Sequence, residues 1–209
     1  EFAGRVLHLD PGVRIRAAIA SVIGSMNQLL ITILAGATGL LASLNLYVED
    51  DFIYRIIFLL TITGMIAAVY FYFKIPGLSR IAGKFKSLRK LNLYTSVFGK
   101  YTIFTLVKLS FLSASRYLVF TFQFVLMLYF FEITIPWQES VKAISVMYLV
   151  MAIVPSLALS ELTIRGSVAL FLFSSYTANS TGILATSSMI WLVNLVLPAF
   201  MGALAAFYF

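Results

Sequence analysis

The chain has 209 residues, of which 61% are hydrophobic and only 11% are charged, and its formal net charge is +7. Soluble domains carry about 25% charged residues, and a soluble core of this size could not bury so much apolar surface. With a mean hydropathy of +0.99, the composition predicts an all-α polytopic integral membrane protein. The apolar runs are continuous and far longer than the alternating strands of a β-barrel.

Two residue types limit the chemistry. The chain contains no cysteine and a single histidine, His8, so disulfide and thiol chemistry are excluded. No His, Cys or carboxylate cluster has the spacing of a metal site, and no nucleophile–His–acid set can form around His8. We therefore expect no metal, no cofactor and no enzymatic activity. The positive charge bears on topology and lipid headgroups, so the expected partners are membrane lipids, anionic ones in particular, and not nucleic acid.

The first half of the chain predicts two spans. A polar segment, 1–16, precedes the first apolar run, 17–47, which exceeds the roughly 20 residues needed to cross a bilayer. The acidic stretch 49–51 separates it from the second run, 53–73. Residues 74–100 then form a loop with several cations and no acid. The positive-inside rule places 1–16 and 74–100 in the cytoplasm and the acidic stretch outside.

The second half predicts two more spans and an irregular region. The third run is 102–131, and the loop 132–142 follows it on the outer side. In 143–176, two short apolar arms flank a polar centre that follows Pro155. This pattern favours a re-entrant pair of half-helices that enter and leave the membrane on the outer side. Such backbone persists at membrane depth only where protein or water surrounds it. The alternative is two full spans of low hydrophobicity. The last span is 184–209.

The basic loop has a second feature. Apolar residues interleave with its cations over 78–93, which is typical of an interfacial helix on anionic lipid. The expected lipid-surface residues are Lys84, Lys86, Arg89 and Lys90. We therefore expect a single membrane domain over 1–209, in a multi-pass protein of the cell (inner) membrane.

Polar residues in the first span repeat with helical spacing. Ser21, Ser25, Gln28 and Thr32 fall on one face, and Asn27 lies beside it. Ala35 and Gly39 continue the helix as a small-xxx-small pair. Two interpretations stay open: close packing against another helix, or the wall of a cavity.

The third run carries a deep cation. Ser113, Arg116, Phe120 and Gln123 share one helical face. A charge at the depth of Arg116 is costly and needs a partner or water. The residue is either half of a structural ion pair or a contact for an anionic lipid group, because a guanidinium donates to phosphate in a planar fork.

Glu161 and Arg165 are the other deep charges. Their i, i+4 spacing, with the acid first, favours an ion pair on a helix. Ser160 is a candidate N-cap, and a helix that begins at membrane depth presents free N–H groups to an anion, as in many transporter sites. The alternative is a self-neutralised pair that stabilises the hairpin.

The last span places Ser187, Trp191, Asn194 and Pro198 on one face, and Pro198, which removes a backbone hydrogen bond, is expected to kink the helix. Helix packing is the alternative role of this face. Together, the predicted headgroup-binding residues are Arg116, Gln123, Glu161, Arg165 and Asn194.

Several short motifs resemble one family. Val154-Pro155, followed by the segment 160–169 (Ser-Glu-Leu-Thr-Ile-Arg-Gly-Ser-Val-Ala), resembles the signature region of the lysylphosphatidylglycerol synthase transmembrane-region family, the flippase-like domain proteins. The run 191–202 is similar to the last helix of that family, and 115–118 with Gln123 is similar to its middle helix. The opening Glu1-Phe2-Ala3-Gly4-Arg5 is similar to the tail of a Gly-Glu-x-x-x-Arg element.

The resemblance carries two implications. Members act on charged or glycan-bearing lipids and have further spans upstream, so we expect an N-terminally truncated bacterial member. It implies a flippase-like protein that binds or translocates an anionic or lipid-linked polar headgroup. The open alternatives are a membrane component of a lipid-modifying (aminoacyl or glycosyl) transferase, and a structural membrane anchor.

Overall fold

A computed structural model describes residues 11–82, 102–154 and 158–208, and within these ranges the chain is almost entirely helical and has no strand. In chain order the helices are α1 (Pro11–Tyr47), α2 (Asp51–Ala82), α3 (Ile103–Phe130), α4 (Trp137–Ile153), α5 (Ala158–Phe173), α6 (Ser180–Trp191) and α7 (Leu197–Tyr208). A π-helical segment, Leu192–Val196, joins α6 to α7.

Four stretches of the described chain are long and apolar enough to cross a membrane: Ala20–Asn45, Asp51–Lys74, Ile103–Phe130 and Ser180–Ala205. The fourth combines α6, the π-helical segment and most of α7. The class predicted from the composition is therefore confirmed, and the chain is an all-α polytopic membrane protein.

Helices α4 and α5 are much shorter than the spans. They have 17 and 16 residues, and neither is among the four stretches that could cross. This matches the expectation of two short arms around a break, while their re-entry on the outer side stays a prediction. Helix α4 begins at Trp137, inside the segment expected to be a loop. Glu139 in its first turn favours this start, because a carboxylate interacts well with the positive end of the helix dipole.

Helix α2 differs from expectation at both ends. At its start, Asp50 Oδ1 accepts hydrogen bonds of 2.8 Å from the backbone N–H groups of Phe52 and Ile53, so one acid of the acidic stretch 49–51 caps the helix. At its other end the helix continues past Lys74 to Ala82, into the segment predicted to be a basic loop. The predicted lipid-surface residues Lys84, Lys86, Arg89 and Lys90 lie outside the described residues.

The helices form two compact units within the single membrane domain expected from the sequence. Unit 1 comprises Glu1–Leu34 and Arg55–Tyr117, and unit 2 comprises Ala35–Tyr54 and Leu118–Phe209. The core of unit 1 is small and draws on three helices: Ile23 and Leu30 of α1, Tyr72 of α2 and Leu106 of α3 are all buried.

The core of unit 2 is larger and centres on aromatic rings. Phe124 of α3 stacks on Phe173 of α5, with 5.9 Å between ring centroids, and meets Tyr148 of α4 edge-on. Ile183 and Ile190 of α6 complete this buried cluster. Helices α3, α4, α5 and α6 therefore present their apolar faces to one another.

A polar clasp holds the α4–α5–α6 region together at the end of the helices where α5 turns into α6. Lys142 Nζ lies 2.7 Å from Glu139 Oε1, and the Tyr176 hydroxyl donates to Glu139 Oε2 at 3.1 Å. The Lys142 hydrogen bond holds the pKa of the Glu139 carboxyl below its usual value, although burial opposes this. The clasp ties the start of α4 to the turn between α5 and α6.

Candidate functional site: a polar groove with a mid-helix arginine

Asn27 joins α1 to α3 inside unit 1. The side chain is completely buried. Its Nδ2 donates to Ser113 Oγ at 2.6 Å, and its Oδ1 accepts from Ser110 Oγ at 2.9 Å. Both polar ends of the amide are therefore paired across the helix interface, as a buried polar group requires. These two bonds fix the depth at which α1 meets α3.

A groove of about 420 Å³ opens beside this contact. One wall is the polar face of α1 predicted from spacing, and the other is a face of α3. Its lining residues are Ser21, Gly24, Ser25, Gln28, Leu109, Leu112, Ser113 and Arg116. For these residues the cavity-wall interpretation is the one that the structure supports. Thr32, the last member of the predicted α1 face, bonds back to its own helix at Gln28 O.

Arg116 is the charged residue of the groove. Helix α3 has 28 residues, a length of about 42 Å, and Arg116 lies close to its midpoint, about 20 Å from Ile103. The side chain is exposed and lines the same groove as three serines and Gln28. A guanidinium therefore lies near the middle of a helix long enough to cross a membrane, beside hydroxyl and amide groups. A guanidinium in such surroundings can donate hydrogen bonds to an anion.

Further along α1, the small residues do pack closely. A Cβ built on Gly39 would lie 2.8 Å from the Ser145 Cβ of α4 and 3.1 Å from the Lys142 carbonyl oxygen. No side chain can be added there without displacing a helix. The two interpretations of α1 thus apply to different parts of it: a groove wall in unit 1 and close packing in unit 2.

In unit 2, Glu161 and Arg165 form the predicted ion pair. Arg165 Nη2 lies 2.6 Å from Glu161 Oε1, and the two side chains are 16% and 21% exposed, respectively. The self-neutralised pair is therefore present, whereas contact with a headgroup stays a prediction. The expectation that Ser160 caps this helix is wrong, because α5 already includes Ala158. Ala158 and Leu159 are strong helix formers, which favours an earlier start.

Gln123 and Asn194 form a second pair in unit 2. Asn194 Nδ2 donates to Gln123 Oε1 at 3.1 Å, which ties the last span to α3. Asn194 belongs to the π-helical segment, where the Leu197 N–H bonds to Leu192 O. Pro198 follows Leu197 and has no N–H to donate, so the change of hydrogen-bond pattern lies next to the proline, while the expected kink stays a prediction.

The predicted site residues are thus divided between the two units. Arg116 belongs to unit 1, and Gln123, Glu161, Arg165 and Asn194 belong to unit 2 as two hydrogen-bonded pairs. Sequence reasoning missed the central role of Asn27. The signal was the i, i+3 spacing of Ser110 and Ser113, which places two hydroxyls on one face of α3. Within the described ranges, no three His, Cys, Asp or Glu residues could together hold a metal ion.

Comparisons with family models, with curated proteins and with solved structures found no match to this chain. The resemblance to the lysylphosphatidylglycerol synthase transmembrane-region family therefore stays an interpretation of short motifs.

Proposed function

We propose that the protein is a flippase-like membrane protein of the cell (inner) membrane, and that it binds or translocates an anionic or lipid-linked polar headgroup. The observation that carries the proposal is the groove of unit 1, in which the mid-helix Arg116 lies among hydroxyl and amide side chains. A phosphate group in this groove would accept hydrogen bonds from the guanidinium and from the serines.

Energetic considerations support an anionic occupant. A charge at the centre of a bilayer is unfavourable by roughly 2.5–3.5 kcal/mol on insertion scales, and a lipid phosphate would reduce this penalty. A purely structural anchor has no need for an arginine at this depth. A lipid-modifying transferase would add a soluble catalytic partner, and the groove would then present the lipid to it.

The experiment is mass spectrometry of lipids that co-purify with the full chain in a mild detergent. We expect anionic or lipid-linked headgroups to be enriched over their share of the host membrane, and the enrichment to fall severalfold for Arg116→Gln. Lys108→Gln is the matched control, because Lys108 is an exposed cation of α3 two turns away and does not line the groove. Lipids retained in host-membrane proportions would contradict the proposal.

A further inference from the structure

Unit 2 contains four buried hydrogen-bond donors that have no partner among the described residues. They are Thr121 Oγ1, Arg165 Nε, Ser187 Oγ and Trp191 Nε1. Thr121 is only 3% exposed, and Ser187 is completely buried. Leaving a buried donor unpaired is energetically unfavourable, so four in one small unit indicate that something accepts their hydrogen bonds.

The four donors lie on three helices that surround the core of unit 2. Phe124 of α3 and Ala169 of α5 are core residues. Thr121 lies one turn before Phe124, and Arg165 lies one turn before Ala169. Helical spacing therefore places each donor on the core-facing side of its helix. On α6, Ser187 follows the core residue Ile183 by one turn, and Trp191 follows Ser187 by another.

The direction of the helices places three of the four donors beyond the same end of the core and Ser187 in its last turns. The turn between α5 and α6 lies near the end of α3, because Asn179 Nδ2 is 3.4 Å from the Phe131 carbonyl oxygen. Measured from that turn, Thr121 lies beyond Phe124, and Arg165 lies beyond Ala169. On α6, Trp191 lies beyond Ile190, the last core residue, and Ser187 lies between the core residues Ile183 and Ile190. Helices α5 and α6 pack directly, since a Cβ on Gly166 would meet Leu184 Cδ2 at 3.1 Å.

The charge at this end selects the occupant. Glu161 and Arg165 form an ion pair of 2.6 Å. An anion here would be repelled by the Glu161 carboxylate. A cation would be repelled by the Arg165 guanidinium and could not accept hydrogen bonds from the donors. We propose that this end of unit 2 binds an uncharged oxygen acceptor, either a buried water molecule or the hydroxyl group of a lipid headgroup. The residues of this site belong to unit 2 and those of the Arg116 groove belong to unit 1, and the test of this site does not measure lipid binding in that groove.

Trp191 provides the readout. The chain has two tryptophans, and the other, Trp137, packs on Phe122 at 6.1 Å between centroids. Trp137→Phe keeps an aromatic ring there and leaves Trp191 as the sole indole. Ultraviolet resonance Raman spectra of this variant then report whether the Trp191 N–H is hydrogen-bonded. One sample is freed of lipid in detergent, and the second is reconstituted with a monoglycosyl diacylglycerol.

A hydrogen-bonded indole in the lipid-free sample identifies water as the acceptor, and a shift that appears only with the glycosyl lipid identifies a headgroup hydroxyl. Both results support the proposal. A free indole N–H in both samples overturns it. The shift is the displacement of the Trp191 indole band from its position for a free N–H. Ser187→Ala and Thr121→Val should each reduce this shift by at least half. Ser188→Ala, at an exposed neighbour, should leave it unchanged. A shift that neither variant reduces also overturns the proposal, because the partner would then lie outside this cluster.

Discussion

Asn27 Nδ2 donates a 2.6 Å hydrogen bond to Ser113 Oγ, and the groove that contains Arg116 opens beside this contact. Ser113 itself lines the groove, so the bond sets both the packing of α1 on α3 and the position of one groove hydroxyl. Groove geometry and helix packing in unit 1 are therefore coupled through one buried amide.

Asn27→Leu should weaken both properties. The substitution removes two interhelical hydrogen bonds, each worth about 0.6 kcal/mol on average and up to about 1.7 in membrane proteins. We expect a lower thermal midpoint in detergent and a severalfold loss of anionic-lipid retention. Asn45→Leu makes the same change at an exposed position of α1 and should leave both unchanged. Equal stability of the two variants would contradict the role assigned to Asn27.

Gly39→Ala should destabilise unit 2. Its new methyl group would lie 2.8 Å from the Ser145 Cβ, and overpacking of this kind costs about 1–3 kcal/mol. Gly64→Ala is the matched control, because a Cβ at Gly64 meets nothing within 4 Å and alanine is the better helix former by about 1 kcal/mol. Thermal unfolding followed by circular dichroism measures both. A midpoint for Gly39→Ala at or above wild type would show that the α1–α4 crossing can open at no cost.

The Glu161–Arg165 pair should behave as a structural pair. Arg165→Gln leaves a largely buried carboxylate without its partner, and we expect destabilisation of up to about 3 kcal/mol. The exchange Glu161→Arg with Arg165→Glu should restore most of the stability, because it recreates the pair at the same spacing. Thermal midpoints and lipid retention are measured together. Unchanged stability of Arg165→Gln with complete loss of lipid retention would instead identify Arg165 as a headgroup ligand.

The clasp at Glu139 predicts that the stability of the folded protein depends weakly on pH. Because the folded protein holds the pKa of Glu139 below its usual value, the carboxylate stabilises the fold above the unfolded pKa, about 4.3. That contribution is lost as the pH falls through the lower pKa of the folded protein. An i, i+3 pair of this exposure contributes only about 0.3–0.5 kcal/mol. We expect Glu139→Gln to lower the thermal unfolding midpoint slightly at neutral pH and to lower it less in acid. A difference from wild type that grows in acid would contradict this assignment.

The spans could be predicted from sequence because hydropathy and length alone define them. The predicted run 53–73 corresponds to Asp51–Lys74, and 102–131 corresponds to Ile103–Phe130. Helix ends were less predictable. The polar first turn of α4 resembles a loop in hydropathy, although Glu139 stabilises a helix N-terminus there.

The candidate site was predictable only in part. Periodicity correctly placed Ser25 and Gln28 on one face, and Arg116 with Ser113 on another. Periodicity contains no information on which turn of α1 lies beside which turn of α3. The buried Asn27 determines this alignment through its hydrogen bonds to Ser110 and Ser113. For the same reason, the pairing of Gln123 with Asn194, 71 residues apart, could not be read from spacing within either helix.

The most direct test of the central claim is photo-crosslinking with an anionic lipid that carries a diazirine in its headgroup, followed by peptide mapping. The full chain is reconstituted in vesicles, with a zwitterionic lipid bearing the same diazirine as the reference. We predict that the anionic lipid labels the groove segments around 21–28 and 109–116 several times more than the zwitterionic lipid does. This preference should be lost in Arg116→Gln and kept in Lys108→Gln. Equal labelling of these segments by both lipids, or labelling that Arg116→Gln does not change, would contradict the account.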